Sequence, residues 1–205
     1  LNRGFKRSEC GDIITVDQFS SFELEFEWRI APGGNSGVKY LISEERPSEW
    51  QKIYMEQEAE NLKKIPPANE KAIAKLTPEM WNYAPIGFEF QLIDDQRNRD
   101  ARNGPTRITG ALYDLLPPSQ SPAHPAGEYS RSRIVVKGSH VEHWVNGIKV
   151  LEFERGSEQL KAAIAQSKFR RLEGFGSWTK GHIDLQDHQS EVWFRNIKIR
   201  EFAAK

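Results

Sequence analysis

The side chains best suited to acid–base chemistry lie in two short stretches. In Gly181-His-Ile-Asp-Leu-Gln-Asp-His188, Ile183 and Leu185 alternate with His182, Asp184, Gln186 and His188. A two-residue period sends alternate side chains to one face of a strand, so two imidazoles, a carboxylate and an amide share the polar face. An imidazole titrating near neutrality takes or gives a proton, which makes His188 the first candidate for proton transfer. Asp187 points the other way unless the turn at Gln189 rotates it, and its carboxylate reads equally as a catalytic group and as a turn stabiliser. In Gly87-Phe-Glu-Phe-Gln-Leu-Ile-Asp94, Phe88, Phe90 and Leu92 point inward while Glu89 and Gln91 share the opposite face. Glu89 joins His188 and Asp187 as a candidate catalytic residue. Gln91 and Gln186 are candidates to hold a polar ligand, with Asp94 as a supporting carboxylate.

Other sets are open to plainer readings. Asn35-Ser36-Gly37 either brings an amide and a hydroxyl to the rim of a groove or simply makes a turn. Glu23-Leu-Glu-Phe-Glu27 places three carboxylates on one strand face, and a charged outer face accounts for them. His143 keeps register with Val141 and Val145, as a hydrogen-bonded core histidine would, whereas Trp144 faces away from them and offers a flat platform for stacking. His140 and His143 fall on opposite faces of their strand, so they make no metal pair. The single cysteine, Cys10, allows neither an intrachain disulfide nor a cysteine metal site. Neither a phosphate-cradling loop nor a nucleophile elbow nor a dinucleotide fingerprint occurs. No metal and no cofactor are expected.

These residues need strands to position them, and the chain supplies many. Phe22, Leu24, Phe26, Trp28 and Ile30 alternate with charged residues, then Pro32-Gly-Gly-Asn-Ser-Gly37 turns the chain into Val38–Ile42. Strands are predicted over Gly87–Asp94, Ile108–Tyr113, Tyr129–Lys137, His140–Val145, Ile148–Phe153 and Val192–Ile199. Asn146-Gly147 is a tight hairpin signal, and Ser157 is placed to cap a helix over Glu158–Ala165. Glu56–Lys64 and Glu70–Leu76 have helix-forming composition and are separated by Pro66-Pro67. They read as a helical insertion over about 45–85, too short to build its own core. The fold class is all-β, an antiparallel sandwich or jelly roll with short helical insertions, in one domain over 1–205.

Composition excludes some functions. Lys plus Arg and Asp plus Glu each number 29 in 205 residues, for a formal net charge of zero. A nucleic-acid binder shows a basic excess or stripe, and this chain has neither. No apolar run reaches the length of a membrane span. A chain beginning at Leu1 reads as a trimmed form, for which a removed signal peptide is one reason.

Taken in order, Ala31–Gly37, Phe88–Asp94, Thr109-Gly-Ala-Leu-Tyr113, Gly127-Glu-Tyr with Val141–Gly147, and Gly181–His188 leading into Val192–Ile199 resemble the 3-keto-disaccharide hydrolase domain family. The resemblance runs from about Gly11 to Phe202. It implies the concanavalin A-like lectin/glucanase jelly roll, a carbohydrate ligand in the groove over the concave sheet, and a periplasmic or secreted bacterial protein. Glu89, His188 and Asp187 are then the expected catalytic groups. Asn35, Gln91, Asp94, Tyr113, His143, Trp144 and Gln186 are the expected substrate-binding set. The chain departs from the family at Gln189, where a glycine is usual, and in the insertion over 45–85. The expected activity is cleavage of a 3-keto-disaccharide or related 3-keto-glycoside. The alternatives are a lectin-like module that binds sugar in the same groove without catalysis, and a surface domain that binds another protein through the insertion.

Overall fold

The structure, a computed structural model, describes residues 11–43, 49–64 and 86–203. Among these, the strands form two antiparallel sheets packed face to face, the jelly-roll type of sandwich that the alternation predicts. One sheet runs β1 (Ile13–Ile14), β8 (His182–Leu185), β3 (Asn35–Ile42), β4 (Phe88–Ile93). The other runs β7 (Ile148–Glu154), β6 (His140–Val145), β5 (Ser130–Lys137), β2 (Phe22–Ile30), β9 (Val192–Glu201). Strand β2 is buried at every second residue. Phe22, Phe26 and Trp28 interleave with Tyr40, Phe88 and Phe90 of the facing sheet in one apolar core. A fully buried side chain of this size contributes about 2–3 kcal/mol.

The hairpin at Asn146-Gly147 forms as predicted, with φ of 47° and 81°. Ser157 caps helix α2 (Glu158–Gln166) by accepting from the Leu160 N–H at 3.2 Å. Helix α1 (Glu49–Lys63) starts earlier than the composition suggested. The second predicted helix, Glu70–Leu76, lies outside the described residues.

Two expectations are corrected. The segment Ile108–Tyr113 is not a strand. It contributes only isolated bridges through Leu112, to Phe90 and Leu116, because Gly110 (φ 86°) and Asp114 (φ 63°) turn the backbone on both sides. The end of β9 is not core, although the apolar alternation in Val192–Ile199 reads as a core-forming terminal strand. Asn196 (φ 53°) carries a bulge opposite β2, and beyond it, on an edge strand, Ile197 and Ile199 remain 48% and 40% exposed.

His143 is fully buried between the sheets, as its register with Val141 and Val145 implies. It shares a hydrogen bond with Tyr40 Oη at 2.8 Å and another with the Gly110 carbonyl at 3.0 Å. Burial pushes its pKa down to about 4, against a small opposing pull from the Gly110 carbonyl. The fold therefore holds a neutral ring. A group with a depressed imidazole pKa stabilises fully above the ordinary value of about 6.5, and that stability is lost as pH falls from there towards 4. The expected loss is about 3 kcal/mol. Urea unfolding at pH 7 and pH 4.5 should show it, and a His143→Gln variant should show a correspondingly flatter dependence.

Candidate functional site

Cross-strand register assembles the site on the outer face of the four-stranded sheet. Lys39 stands opposite Glu89 on one side and opposite Asp184 on the other. The two-residue period turns all three away from the core, so they lie in a row across β4, β3 and β8. In the next row Gln91 stands opposite Gly37, and the backbone N–H of Gln186 donates to the Gly37 carbonyl at 2.9 Å. Asn35 begins the third row, opposite Ile93.

Gly37 is the low point of this face. A Cβ placed on it would stand 2.5 Å from Glu89 Oε1 and 2.9 Å from Glu89 Cγ. The Glu89 carboxyl therefore occupies the volume that any other residue would fill.

The charges in the row are mutually perturbing. Lys39 Nζ pairs with Asp12 Oδ2 at 2.9 Å and with Asp184 Oδ2 at 3.3 Å. Burial raises the Glu89 pKa, while the charges of Lys39, Lys168 and His188 work to lower it. Burial also pushes Asp184 up to about 7, against the pull of Lys39. Burial works against the ammonium of Lys39, but Asp184, Glu89 and Asp12 together hold its pKa above the ordinary value. Burial that raises a carboxyl's pKa is the usual preparation for general acid work.

Polar atoms on this face lack partners. Gln91 is fully buried; its Nε2 donates to Asn35 Oδ1 at 3.3 Å and points to the Arg107 carbonyl at 3.5 Å. That orientation leaves Gln91 Oε1 without a hydrogen bond among the described residues, and Gln186 Oε1 and Asp184 Oδ1 are buried without one too, while Asp184 Oδ2 has only its ion pair with Lys39. A buried unsatisfied acceptor costs roughly 1–3 kcal/mol, and several together on one face are what a hydroxyl-rich ligand would satisfy.

Several expected residues meet here. Glu89, Gln91, Asn35 and Gln186 share the face. His188 is exposed at the rim and close enough for its charge to act on Glu89. Tyr113 borders the site: its backbone N–H donates to the Glu89 carbonyl at 2.9 Å. Its hydroxyl accepts from Arg107 at 2.6 Å and donates to Asp100 Oδ2 at 2.9 Å.

Four others do not serve as expected. Both oxygens of Asp94 are consumed by backbone N–H groups of Gly33 (2.7 Å), Gln96 (3.1 Å) and Arg97 (3.2 Å). Burial opposes its charge, but these bonds hold its pKa below the usual range. It ties the β2–β3 turn to the loop after β4. Asp187 Oδ1 accepts from the Gln189 N–H at 2.9 Å, which supports the positive φ of Gln189 (62°) and favours the turn-stabilising reading. His143 is in the core, beyond a ligand's reach.

Trp144 lies on the outer face of the other sheet. Its ring is covered by the Arg133 guanidinium at 4.0 Å, and its Nε1–H donates to Glu142 at 2.8 Å. Trp144→Ala is therefore expected to change turnover by less than about twofold, measured as kcat/KM, a change of under about 0.5 kcal/mol. The Glu23, Glu25 and Glu27 carboxylates on that same face pair with Arg200, Arg131 and Arg195, as a charged outer face does.

The sequence reading missed Lys39, Asp12 and Lys168, and it put Asp184 on the polar face without giving it a role. Lys39 is the one charge in an otherwise wholly buried strand, and that was a usable signal. Lys168 follows α2 in a segment without periodicity, where nothing local marked it. Among the described residues, His140, Glu142 and Glu152 bring ligating atoms within 4.8 Å of one another. The Lys149 ammonium already pairs with both glutamates and supplies the cation there.

The chain matches the family described as 3-keto-alpha-glucoside-1,2-lyase-like domain over residues 3–200. It is 30% identical to a 3-keto-disaccharide hydrolase of Bacteroides thetaiotaomicron, a match covering 93% of this chain and 61% of that protein. The chain thus spans about three fifths of that relative's length. Among solved structures it resembles two proteins of Parabacteroides distasonis whose assignment as glycosyl hydrolases is itself provisional. The first is 29% identical with a TM-score of 0.69, covering 94% of this chain and 74% of that one. The second is 26% identical with a TM-score of 0.60, covering 93% and 83%.

Proposed function

Because the chain belongs to the 3-keto-alpha-glucoside-1,2-lyase-like domain family, we propose that it cleaves 3-keto-glycosides on the outer face of the four-stranded sheet. The carbonyl at C3 acidifies the neighbouring C2 proton. His188, in contact with solvent, removes that proton, and the C–H electron pair forms an enolate with negative charge on the C3 oxygen. As the carbonyl re-forms, the C1–O bond breaks and a C1=C2 bond appears. Glu89 gives the departing glycosidic oxygen its proton. Water added back at C1 and C2 completes a net hydrolysis, and without that step the outcome is a lyase reaction.

The observation that carries this reading is Glu89: a buried carboxyl with a raised pKa, seated over a glycine in a face with unsatisfied acceptors. Gln91 Oε1 and Gln186 Oε1 accept from sugar hydroxyls, with Asn35 holding Gln91 in place. The same reading has the protein working outside the cytoplasm, as an exported bacterial protein.

The test is incubation with 3-keto-disaccharides beside the unmodified disaccharides in D2O, following released sugar and deuterium at C2. Cleavage of the 3-keto compound alone, with deuterium gained at C2, is expected. Equal cleavage of the unmodified sugar without C2 exchange would mean direct hydrolysis by carboxylates. Sugar binding by calorimetry with no cleavage of either would make this a lectin-like module.

A further inference from the structure

Lys39 and Lys168 are the two ammonium groups whose charges reach Glu89, and they are held in opposite ways. Lys39 is neutralised by two carboxylates, Asp12 and Asp184. Lys168 makes no ion pair among the described residues. Its Nζ lies 4.4 Å from the centroid of the Tyr113 ring and 4.9 Å from that of Phe169. Aromatic faces attract a cation without cancelling its charge. The positive charge of Lys168 is thus oriented yet left available.

The framework holding it is rigid. The Lys168 backbone N–H donates to Asp114 Oδ2 at 2.7 Å. Asp114 Oδ1 accepts from Arg107 at 2.5 Å, and Arg107 in turn donates to the Tyr113 hydroxyl and to Asp100. Tyr113, under the ammonium, is bonded through its backbone to Glu89. Lys168 and Glu89 are therefore positioned by one connected structure, although 79 residues separate them in sequence.

We infer that Lys168 donates a hydrogen bond to the C3 carbonyl oxygen of the bound 3-keto sugar and stabilises the enolate oxygen formed when the C2 proton leaves. This rests on the proposed reaction. Lys168 keeps its proton throughout. The C2–H bond breaks towards the base, the electron pair resides on the C3 oxygen, and it returns as the C1–O bond breaks. A fixed donor aimed at developing charge in a site with little water contributes far more than it would in bulk solvent. Burial, only partly offset by Glu89 and Asp114, lowers the Lys168 pKa, which makes it a stronger donor to an enolate.

The test uses two substrates, a 3-keto-disaccharide and 3-keto-1,5-anhydroglucitol. The second has no leaving group, so it reports C2 exchange with D2O alone. Lys168→Met is expected to lower both exchange and kcat by about 10²–10³-fold with KM within about threefold, while Lys168→Arg recovers at least a tenfold part of the loss. The alkaline limb of wild-type C2 exchange on the anhydroglucitol, a step that does not use the Glu89 proton, should move up or vanish in Lys168→Arg. The groups facing Lys168 that share this titration are Glu89, Asp114, Arg107, Lys39 and Tyr113.

Exchange by Lys168→Met within threefold of wild type would overturn the assignment. So would a loss confined to KM, or an alkaline limb left unchanged in Lys168→Arg should the Met variant fail to fold. Wild-type protein that neither exchanges nor cleaves these compounds would refute the proposed reaction itself, and this role with it.

Discussion

Glu89→Gln is expected to keep the fold and lose about 10²–10⁴-fold in kcat on 3-keto-disaccharides, the range for removing a general acid–base group. The amide matches the carboxyl in shape, so the volume over Gly37 stays filled and the melting temperature should move little. What disappears is the proton for the departing oxygen. Two further readouts separate this from a general disruption. A 3-keto-glucoside with a nitrophenyl leaving group needs little protonation, and its cleavage should fall by less than about tenfold. Deuterium exchange at C2 should persist in Glu89→Gln and be lost in His188→Ala, because the proposed reaction puts the two residues at opposite ends. Loss of exchange in Glu89→Gln together with its retention in His188→Ala would reverse the assignment. The pH dependence follows in sign: Glu89 titrates above the ordinary carboxylate value. The group is active as the acid below its pKa, so activity that depends on its proton declines as pH rises through that value.

Gly37→Ala is expected to cost about 10²-fold or more in kcat/KM while leaving stability within about 1 kcal/mol, on the scale of a misplaced reacting group. The added Cβ would meet Glu89 Oε1, Cγ and Cδ at 2.5, 2.9 and 3.0 Å. None of these atoms is backbone, so the strand pairing can survive if the Glu89 side chain moves. That movement takes the carboxyl off its place over Gly37. Gly181→Ala makes the informative comparison: there a Cβ would meet the Ile42 carbonyl oxygen at 2.4 Å and its nitrogen at 2.5 Å. Backbone cannot yield so cheaply, and that variant should be lost to unfolding instead. Thermal melts alongside kcat/KM for both variants distinguish the effects. A Gly37→Ala protein with unchanged kcat/KM would show that the placement of Glu89 does not matter to function.

Much of this protein was legible in the order of its residues. The alternation in Phe22–Ile30 and Phe88–Ile93 determined strands and assigned their inner and outer faces, and with them the placement of Glu89 and Gln91 on the polar side. Asn146-Gly147 and Ser157 specified their turn and cap. These features depend on neighbours within a few residues, where side-chain direction follows from the backbone period alone. The register of His143 likewise made it a core residue, although the motif around it had suggested a substrate contact.

The tertiary structure decided what period could not. Trp144 and Glu89 are both outward-facing residues, but on different sheets, and nothing local distinguishes one outer face from the other. Asp94 and Asp187 look like free carboxylates until the turns they support are seen. Lys39 meets Glu89 and Asp184 only because β3 pairs with β4 and β8 in a particular register. That register joins positions 50 and 145 residues apart, and a one-residue slip would turn each side chain to the opposite face. Lys168 depends on contacts further still from any pattern, through a loop whose shape is set by Gly110, Asp114 and Arg107. The sequence by itself determined which groups could do chemistry and which strands carry them. The pairing of those strands, a non-local matter of hydrogen-bond register and packing, determined which of them meet.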